Sequence, residues 1–192
     1  MSLIKDDVMS KSVDFVLDIE TLGIKPGAPI LSIGAICGDN AFYAVVYPRT
    51  GTPDPDTVQW WRSVPSQAAR DHVFSTEVHQ IQEYQLKDAL TNLVDFIKEN
   101  NPTCFWGCSP DFDYGHLEYW MTEYGIEIPW KFYQMRDVRT IRDFLSKTTV
   151  TALTEQYIEE DNKHIAVYDA YLEAQIIKYC RDHLTKSSDE QL

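Results

Sequence analysis

Two carboxylates, Asp18 and Glu20, stand two residues apart at the end of the apolar segment VDFVLDIE, residues 13–20. The segment predicts a strand, and side chains two apart in a strand point to the same face of the sheet. At an effective dielectric constant of about 20, two such charges about 4 Å apart repel each other by about 4 kcal/mol. A purely structural strand gains nothing from that repulsion. The pair is therefore either screened by solvent or neutralised by a bound cation.

Two later segments supply further groups of this kind. One is DFD at residues 111–113, where a short strand gives way to a helix, and the other is HIAVYDA at residues 164–170, which opens the last helix. If both were helical, His164 and Asp169 would point about 140° apart. For both side chains to reach one site, His164 must lie on the loop before the helix and Asp169 within its early turns.

The elements that would position these residues form a mixed α/β pattern. Strands are predicted at residues 13–20, 29–38, 40–48, 103–107 and 130–135. Helices are predicted at residues 54–63, 65–74, 86–100, 109–125, 138–146, 151–157 and 166–184. Three antiparallel strands followed by strands that alternate with helices predict one mixed sheet with the first strand central. The pattern is weakest over residues 49–85.

Length and composition predict one folded domain. The chain has 192 residues, of which 44% are hydrophobic, and we expect an ordered domain at residues 13–184 between flexible tails at residues 1–12 and 185–192. No run of 18 apolar residues is present, so no membrane span is expected. The first dozen residues lack the apolar core of a signal peptide. The four cysteines form neither a disulfide framework nor a complete zinc motif, which favours free thiols and a cytoplasmic setting.

The formal net charge of −13 constrains any nucleic-acid hypothesis. Binding along a phosphate backbone normally requires a basic face. An acidic protein can contact phosphate if bound divalent cations mediate the contact. We therefore expect short-range binding to a strand end rather than binding along a long duplex.

In their order and spacing, the three acidic segments resemble the motifs of DEDD-type 3′–5′ exonucleases of the histidine subgroup. The similarity is greatest to RNase T-like enzymes grouped with prophage exodeoxyribonuclease VIII and phage exonuclease A. The segments that carry it are DIETLGIKPGAPILSIGA, VQWWRSVPSQAAR, WGCSPDFDYGHL, PWKFYQMRDVRT and HIAVYDA. The resemblance covers about residues 13–183.

This resemblance implies a ribonuclease H-like fold and hydrolysis of DNA or RNA from the 3′ end to nucleoside 5′-monophosphates. It implies two Mg²⁺ or Mn²⁺ ions, which prefer hard oxygen ligands. The ligands would be Asp18, Glu20, Asp113 and Asp169, with Asp18 between the ions. His164 would be the general base, a role that the near-neutral pKa of imidazole suits. The resemblance also allows a homodimer.

The resemblance also implies that the terminal nucleotide contacts Thr21 and Leu22, and we expect it to contact Trp60 and Phe112 as well. Trp60 and Trp61 are adjacent helical positions about 100° apart, so at most one of them is expected to stack on a base while the other serves the core.

Several assignments stay open from the sequence. Asp111, rather than Asp113, could be the ligand of the second segment, although Asp111 also fits a helix N-cap. His116 lies within i,i+3 reach of Asp113. Asp137 and Arg139 fit either a recurring family segment or a structural ion pair.

Two positions depart from the family pattern. Ser109 and Ile165 stand where the family commonly has Asn. The change at Ser109 bears on the alignment of the substrate and not on metal binding.

Two other functions compete with the exonuclease. One is a non-catalytic nucleic-acid-binding protein on the same fold, which has no need to keep all five site residues. The other is a phosphodiesterase of dinucleotides or other small substrates, which the negative charge would tolerate better than a long polymer.

Overall fold

The computed structural model describes residues 12–74 and 82–184. Its strands form one six-stranded sheet in the order β4-β3-β2-β1-β5-β6. They are β1 Asp14–Thr21, β2 Ile30–Cys37, β3 Asn40–Val46, β4 Glu83–Tyr84, β5 Cys104–Gly107 and β6 Met135–Asp137. β1, β2 and β3 are antiparallel neighbours, whereas β5 is parallel to β1 and β6 is parallel to β5. The predicted mixed sheet with a central first strand is confirmed.

Seven α-helices are found in the described residues. They are α1 Pro55–Ser63, α2 Gln67–Phe74, α3 Leu86–Asn100, α4 Pro110–Tyr124, α5 Val138–Arg142, α6 Lys147–Tyr157 and α7 Ala166–Leu184. Two short 3₁₀ helices lie at Phe132–Gln134 and Glu160–Asn162. The strand predicted at residues 130–135 was therefore misplaced, because a 3₁₀ turn occupies half of that segment and β6 begins only at Met135.

The core lies on both faces of the sheet, and β1 contributes to both by alternation. Phe15, Leu17 and Ile19 belong to the larger cluster, which also contains the apolar stripe of α3. Val16 belongs to the opposite cluster with residues of α7 such as Ile176. Alternation therefore puts every second residue of β1 on the α7 side. On that side, Val16 packs in the core and the positions that follow it carry carboxylates.

A glycine lets α7 approach the sheet at this point. Gly34 of β2 is paired with Asp18 of β1. A methyl group added to Gly34 would overlap the backbone of Ala166 and Val167, the first residues of α7. The first turn of α7 thus lies directly on the sheet beside Asp18.

Other predictions about the chain have mixed outcomes. The four cysteines are free thiols. Among the described residues, no helix combines the length and apolar composition needed to cross a bilayer. Residues 1–11 and 185–192 lie outside the described residues, so the predicted tails stay predictions.

Candidate active site

A cavity of about 360 Å³ opens where the carboxyl ends of β1 and β5 meet α4 and α7. It contains Phe112 and all five residues expected to carry the chemistry. Its lining is Asp18, Ile19, Glu20, Cys108, Phe112, Asp113, Arg142, His164, Asp169, Leu172, Glu173 and Ile176. Residues that are far apart in the chain are thus brought to one point.

Burial decides which aspartate of the second acidic segment, Asp111 or Asp113, faces the cavity. α4 begins immediately after β5, and the carbonyl of Ser109 accepts hydrogen bonds from the N–H groups of Phe112 and Asp113. Asp111 faces solvent, whereas Asp113 is only 3% exposed and lines the cavity. Of the two candidates, only Asp113 is placed to act in the site.

Ser109 has an unusual backbone conformation for its residue type. Its φ is 120° and its ψ is 69°, on the positive-φ side that most L-residues avoid. Asn tolerates positive φ better than most residues. The departure from Asn at Ser109 therefore falls on a strained turn, directly between β5 and the helix that carries Asp113.

His164 and Asp169 adopt the arrangement that their spacing requires. His164 lies on the loop before α7, and Asp169 lies in the first turn of the helix. One ligand atom from each of Glu20, His164 and Asp169 can be chosen so that all three lie within 4.8 Å of one another. This distance allows a single cation to contact all three side chains.

Glu173 is a site residue that the sequence reasoning missed. It is 7% exposed, it lines the cavity, and it lies one turn after Asp169 on the same face of α7. The i,i+4 spacing from Asp169 was the available signal. Cys108 and Arg142 also line the cavity, and Arg142 donates a long contact of 3.9 Å to Sγ of Cys108.

The carboxylates of the cavity are costly to ionise together. Burial raises the pKa of Asp18 and Glu20 well above their ordinary values, and the charges of neighbouring carboxylates raise both further. Burial also raises the pKa of Asp113 to about 7 and that of Asp169 to about 6. The pKa of Glu173 is likewise raised well above its usual range, first by burial and then by the charge of Asp113. Each shift has the sign expected for a desolvated acid, and like charge adds to it at Asp18, Glu20 and Glu173.

The pKa of His164 is shifted in the opposite direction, below its ordinary value. Burial lowers the pKa of His164 below its ordinary value, and the charge of Lys163 lowers it further. The imidazole is therefore neutral, and able to accept a proton, at neutral pH.

The donor set fits hard divalent cations. It consists mainly of carboxylate oxygens, and Mg²⁺ and Mn²⁺ prefer such ligands. Oε2 of Glu173 is buried without a hydrogen-bond partner in the described residues. A cation would relieve both the mutual repulsion of the acids and this unsatisfied oxygen.

The two adjacent tryptophans have different surroundings. Trp61 is 2% exposed and donates from Nε1 to the carbonyl of Thr21 at 2.9 Å. Trp60 is half-buried, and its ring lies edge-on to His164 with the ring centres 5.0 Å apart. Trp61 is thus a core residue, and Trp60 is the one that borders the site.

Thr21 and Leu22 are not part of the cavity lining. The hydroxyl of Thr21 is buried and donates to the carbonyl of Gly23 at 2.8 Å. Leu22 packs with Trp60 against the small cluster around Trp61. Both residues support the wall beside Trp60.

The residues left open by the sequence, His116, Asp137 and Arg139, make structural contacts. His116 is fully buried, and its ring nitrogens lie 2.8 Å from the carbonyl of Phe112 and 3.2 Å from that of Gly23. Asp137 caps α5 through the N–H of Arg139, and its carboxylate lies 3.8 Å from Nε of Arg139.

Comparison with known proteins adds the family. A family model described as the 3′–5′ exoribonuclease Rv2179c-like domain matches residues 13–181. The chain belongs to this family. The Rv2179c-like match confirms the expected 3′–5′ exonuclease family, whereas the narrower resemblance to the exodeoxyribonuclease VIII group stays a prediction. No curated protein matches the chain.

A solved structure of another protein is similar in fold to this Rv2179c-like domain. It is the nuclease domain of 3′hExo, a DEDDh family member, bound to rAMP. The TM-score is 0.57 at 10% sequence identity, and the match covers 90% of this chain and 94% of that chain. At this identity the likeness is one of fold, and it confirms the ribonuclease H-like sheet.

Proposed function

We propose that the protein is a divalent-metal-dependent 3′–5′ exonuclease that hydrolyses DNA or RNA from the 3′ end and releases nucleoside 5′-monophosphates. The observation that carries the proposal is the convergence of Asp18, Glu20, Asp113, Asp169 and His164 on one cavity. Membership of the exoribonuclease domain family supports the same reaction class.

In this proposal Asp18, Glu20, Asp113 and Asp169 hold two Mg²⁺ or Mn²⁺ ions. When bound, the ions supply positive charge for the attacking and leaving oxygens of an in-line displacement. The carboxylates contribute by standing close together and largely shielded from water. That arrangement is unfavourable without a cation and therefore favours cation binding.

His164 is the proposed general base. Its lowered pKa keeps the imidazole neutral, so a ring nitrogen can take the proton from the attacking water. The ring is held from one side by the edge-on contact with Trp60. The backbone N–H of His164 is also hydrogen-bonded to Asp169, which fixes the base relative to the proposed ligands.

The terminal nucleotide is proposed to lie between Phe112 and Trp60. Phe112 lines the cavity, and Trp60 borders it beside the proposed base. An aromatic ring can stack on any base, so these contacts do not select a sequence. Thr21 and Leu22 follow Glu20 directly but lie outside the cavity lining. We propose that they reach the terminal nucleotide only at the edge of the cavity, beside Trp60.

A phosphodiesterase of dinucleotides is the second candidate. The observation that favours it is the net charge of −13, which opposes binding along a polymer. Its proposed chemistry and site residues are the same, and only substrate length differs. The proposed cytoplasmic location rests on the free cysteines, and the homodimer rests on family resemblance alone.

The proposal is tested with 5′-labelled and 3′-labelled DNA and RNA oligonucleotides of 20 residues. We expect release of mononucleotides from the 3′ end in Mg²⁺ or Mn²⁺, no reaction in EDTA, and protection by a 3′ phosphate. Degradation in excess chelator, or cleavage of a closed circle, would contradict the proposal. A dinucleotide cleaved much faster than the 20-mer would favour the second candidate, and binding without cleavage would indicate a non-catalytic protein.

A further inference from the structure

Glu173 is a buried acid for which the five-residue site has no role. Its side chain is 7% exposed and lines the same cavity as the proposed ligands. Burying a carboxylate is unfavourable unless hydrogen bonds or a positive charge compensate. The contacts of Glu173 therefore show what its partner must be.

The protein groups around Glu173 compensate its charge only in part. Oε2 has no hydrogen-bond partner in the described residues. The thiol of Cys108 contacts the carboxylate, but a thiol is a weak donor. The ion pairs found among the described residues do not include Glu173. Arg142 contacts Sγ of Cys108, and its charge lowers the pKa of Glu173, but burial and the charges of Asp113 and Asp169 raise that pKa by more.

The position of Glu173 relative to the other acids suggests a cation. Glu20, His164 and Asp169 already form one compact group of ligand atoms. Glu173 lies outside that group and contacts Cys108, which follows Gly107 at the end of β5. A methyl group added to Gly107 would lie 3.1 Å from Oδ2 of Asp113, so Asp113 adjoins the same strand end. The acids of the cavity thus extend from the group around Glu20 toward the side that contains Asp113.

We propose that Glu173 is a fifth carboxylate of the metal site and binds a divalent cation on the Asp113 side of the cavity. The inference rests on the proposed function, because it assumes that the cavity holds divalent ions. It adds a ligand that the five-residue set lacks. A cation there satisfies the free oxygen of Glu173 and reduces its repulsion with Asp113.

The test is a calorimetric Mn²⁺ titration of the full-length native protein, Glu173→Gln and a control, Asp182→Asn. Asp182 is an exposed acid on the same helix, so the control removes one charge from α7 outside the cavity. We expect Glu173→Gln to weaken binding of one Mn²⁺ ion about tenfold, and Asp182→Asn to stay within twofold of the native protein. A change of less than threefold in Glu173→Gln would overturn the inference.

The melting temperature in EDTA distinguishes a metal-binding role of Glu173 from a purely structural one. Glutamine keeps the size of the side chain and removes its charge, so Glu173→Gln should melt at the same temperature as the native protein or higher. A lower melting temperature without metal would make Glu173 a structural hydrogen-bonding residue and overturn the inference. If the native protein itself binds no Mn²⁺, the proposed function fails as well. If the native protein binds Mn²⁺ and Glu173→Gln binds it equally well, only the role of Glu173 fails.

Discussion

The backbone N–H of His164 donates a hydrogen bond of 2.8 Å to Oδ2 of Asp169. His164 makes this bond with φ at 65°, in the left-handed region that few non-glycine residues adopt. The bond joins the loop before α7 to the first turn of the helix. It explains why the histidine and the aspartate can be five residues apart and still face one cavity.

This relationship decides how the histidine is best tested. Asn tolerates the left-handed region better than Ala, so His164→Asn should preserve the loop and its bond to Asp169. If His164 is the general base, kcat should fall by about 10²- to 10⁴-fold while Mn²⁺ affinity stays nearly unchanged. Steady-state kinetics and Mn²⁺ titration measure the two quantities. His183→Asn, at an exposed histidine on the same helix, is the control, and full activity of His164→Asn would reject the assignment.

The raised pKa values predict how the metal-free protein responds to pH. Asp113 has a pKa of about 7 and Asp169 a pKa of about 6 in the folded protein, whereas both would ionise near pH 4 when unfolded. Between about pH 4 and pH 7 the folded state therefore binds more protons than the unfolded state. The contribution of these groups to the free energy of unfolding is largest at acid pH and is lost as the pH rises.

Thermal melts in EDTA between pH 5 and pH 8 measure this effect, with Asp113→Asn as the comparison. The melting temperature of the native protein should fall relative to that of Asp113→Asn as the pH rises. Mn²⁺ should raise the native melting temperature more at pH 8 than at pH 5, because metal binding needs deprotonated carboxylates. A constant difference between the two proteins across this range would show that Asp113 does not titrate there.

Substitutions of the two adjacent tryptophans should have different effects, one on stability and the other on activity. Trp61 is buried in the core, so Trp61→Ala should lower the free energy of unfolding by about 3–5 kcal/mol. Trp60→Ala removes the ring beside His164 and should mainly raise KM or lower kcat. Denaturant unfolding and steady-state kinetics on both variants test the pair. The assignment is wrong if Trp60→Ala is as destabilising as Trp61→Ala and leaves the kinetics unchanged.

Gly34 should be essential for activity although it does not line the cavity. In Gly34→Ala the new methyl group would displace the start of α7, the element that carries Asp169. A displacement of about 1 Å can cost about 10²-fold in rate, so we expect at least that loss and a lower melting temperature. Gly115→Ala is the matched control, because its methyl group would approach only Pro26, at 4.0 Å. Native activity in Gly34→Ala would mean that α7 can move without disturbing the site.

Long, regular patterns made parts of the fold predictable. The apolar stripe of α3 repeats at the helical period over residues 86–100, and the predicted bounds agree with the structure. The predicted bounds of α7 also agree with the structure, and the predicted bounds of β1 differ from the observed ones by one residue at each end. β4 has only two residues, too few to show alternation, and it lies in the segment where the pattern was weakest.

The site was predictable where residue type and spacing both carried information. The geometry of Asp18 and Glu20 follows from a strand, and that of His164 and Asp169 from the start of a helix. Burial was needed to separate Asp113 from Asp111. Glu173 was missed because a single acid on a helix ordinarily faces solvent, and only the packing of α7 against β1 turns it inward.

The central claim is that the cavity keeps its acids together in order to hold divalent cations. Melting temperatures in EDTA and in Mn²⁺, for the native protein, Asp113→Asn and Asp169→Asn, test it most directly. At 100 times its dissociation constant, Mn²⁺ should stabilise the native protein by about 2.7 kcal/mol, or roughly 5–10 °C. Both variants should show much less of that gain, yet be at least as stable as the native protein in EDTA. The claim would be contradicted if Mn²⁺ left the native melting temperature unchanged, or if either variant melted about 10 °C or more below the native protein without metal.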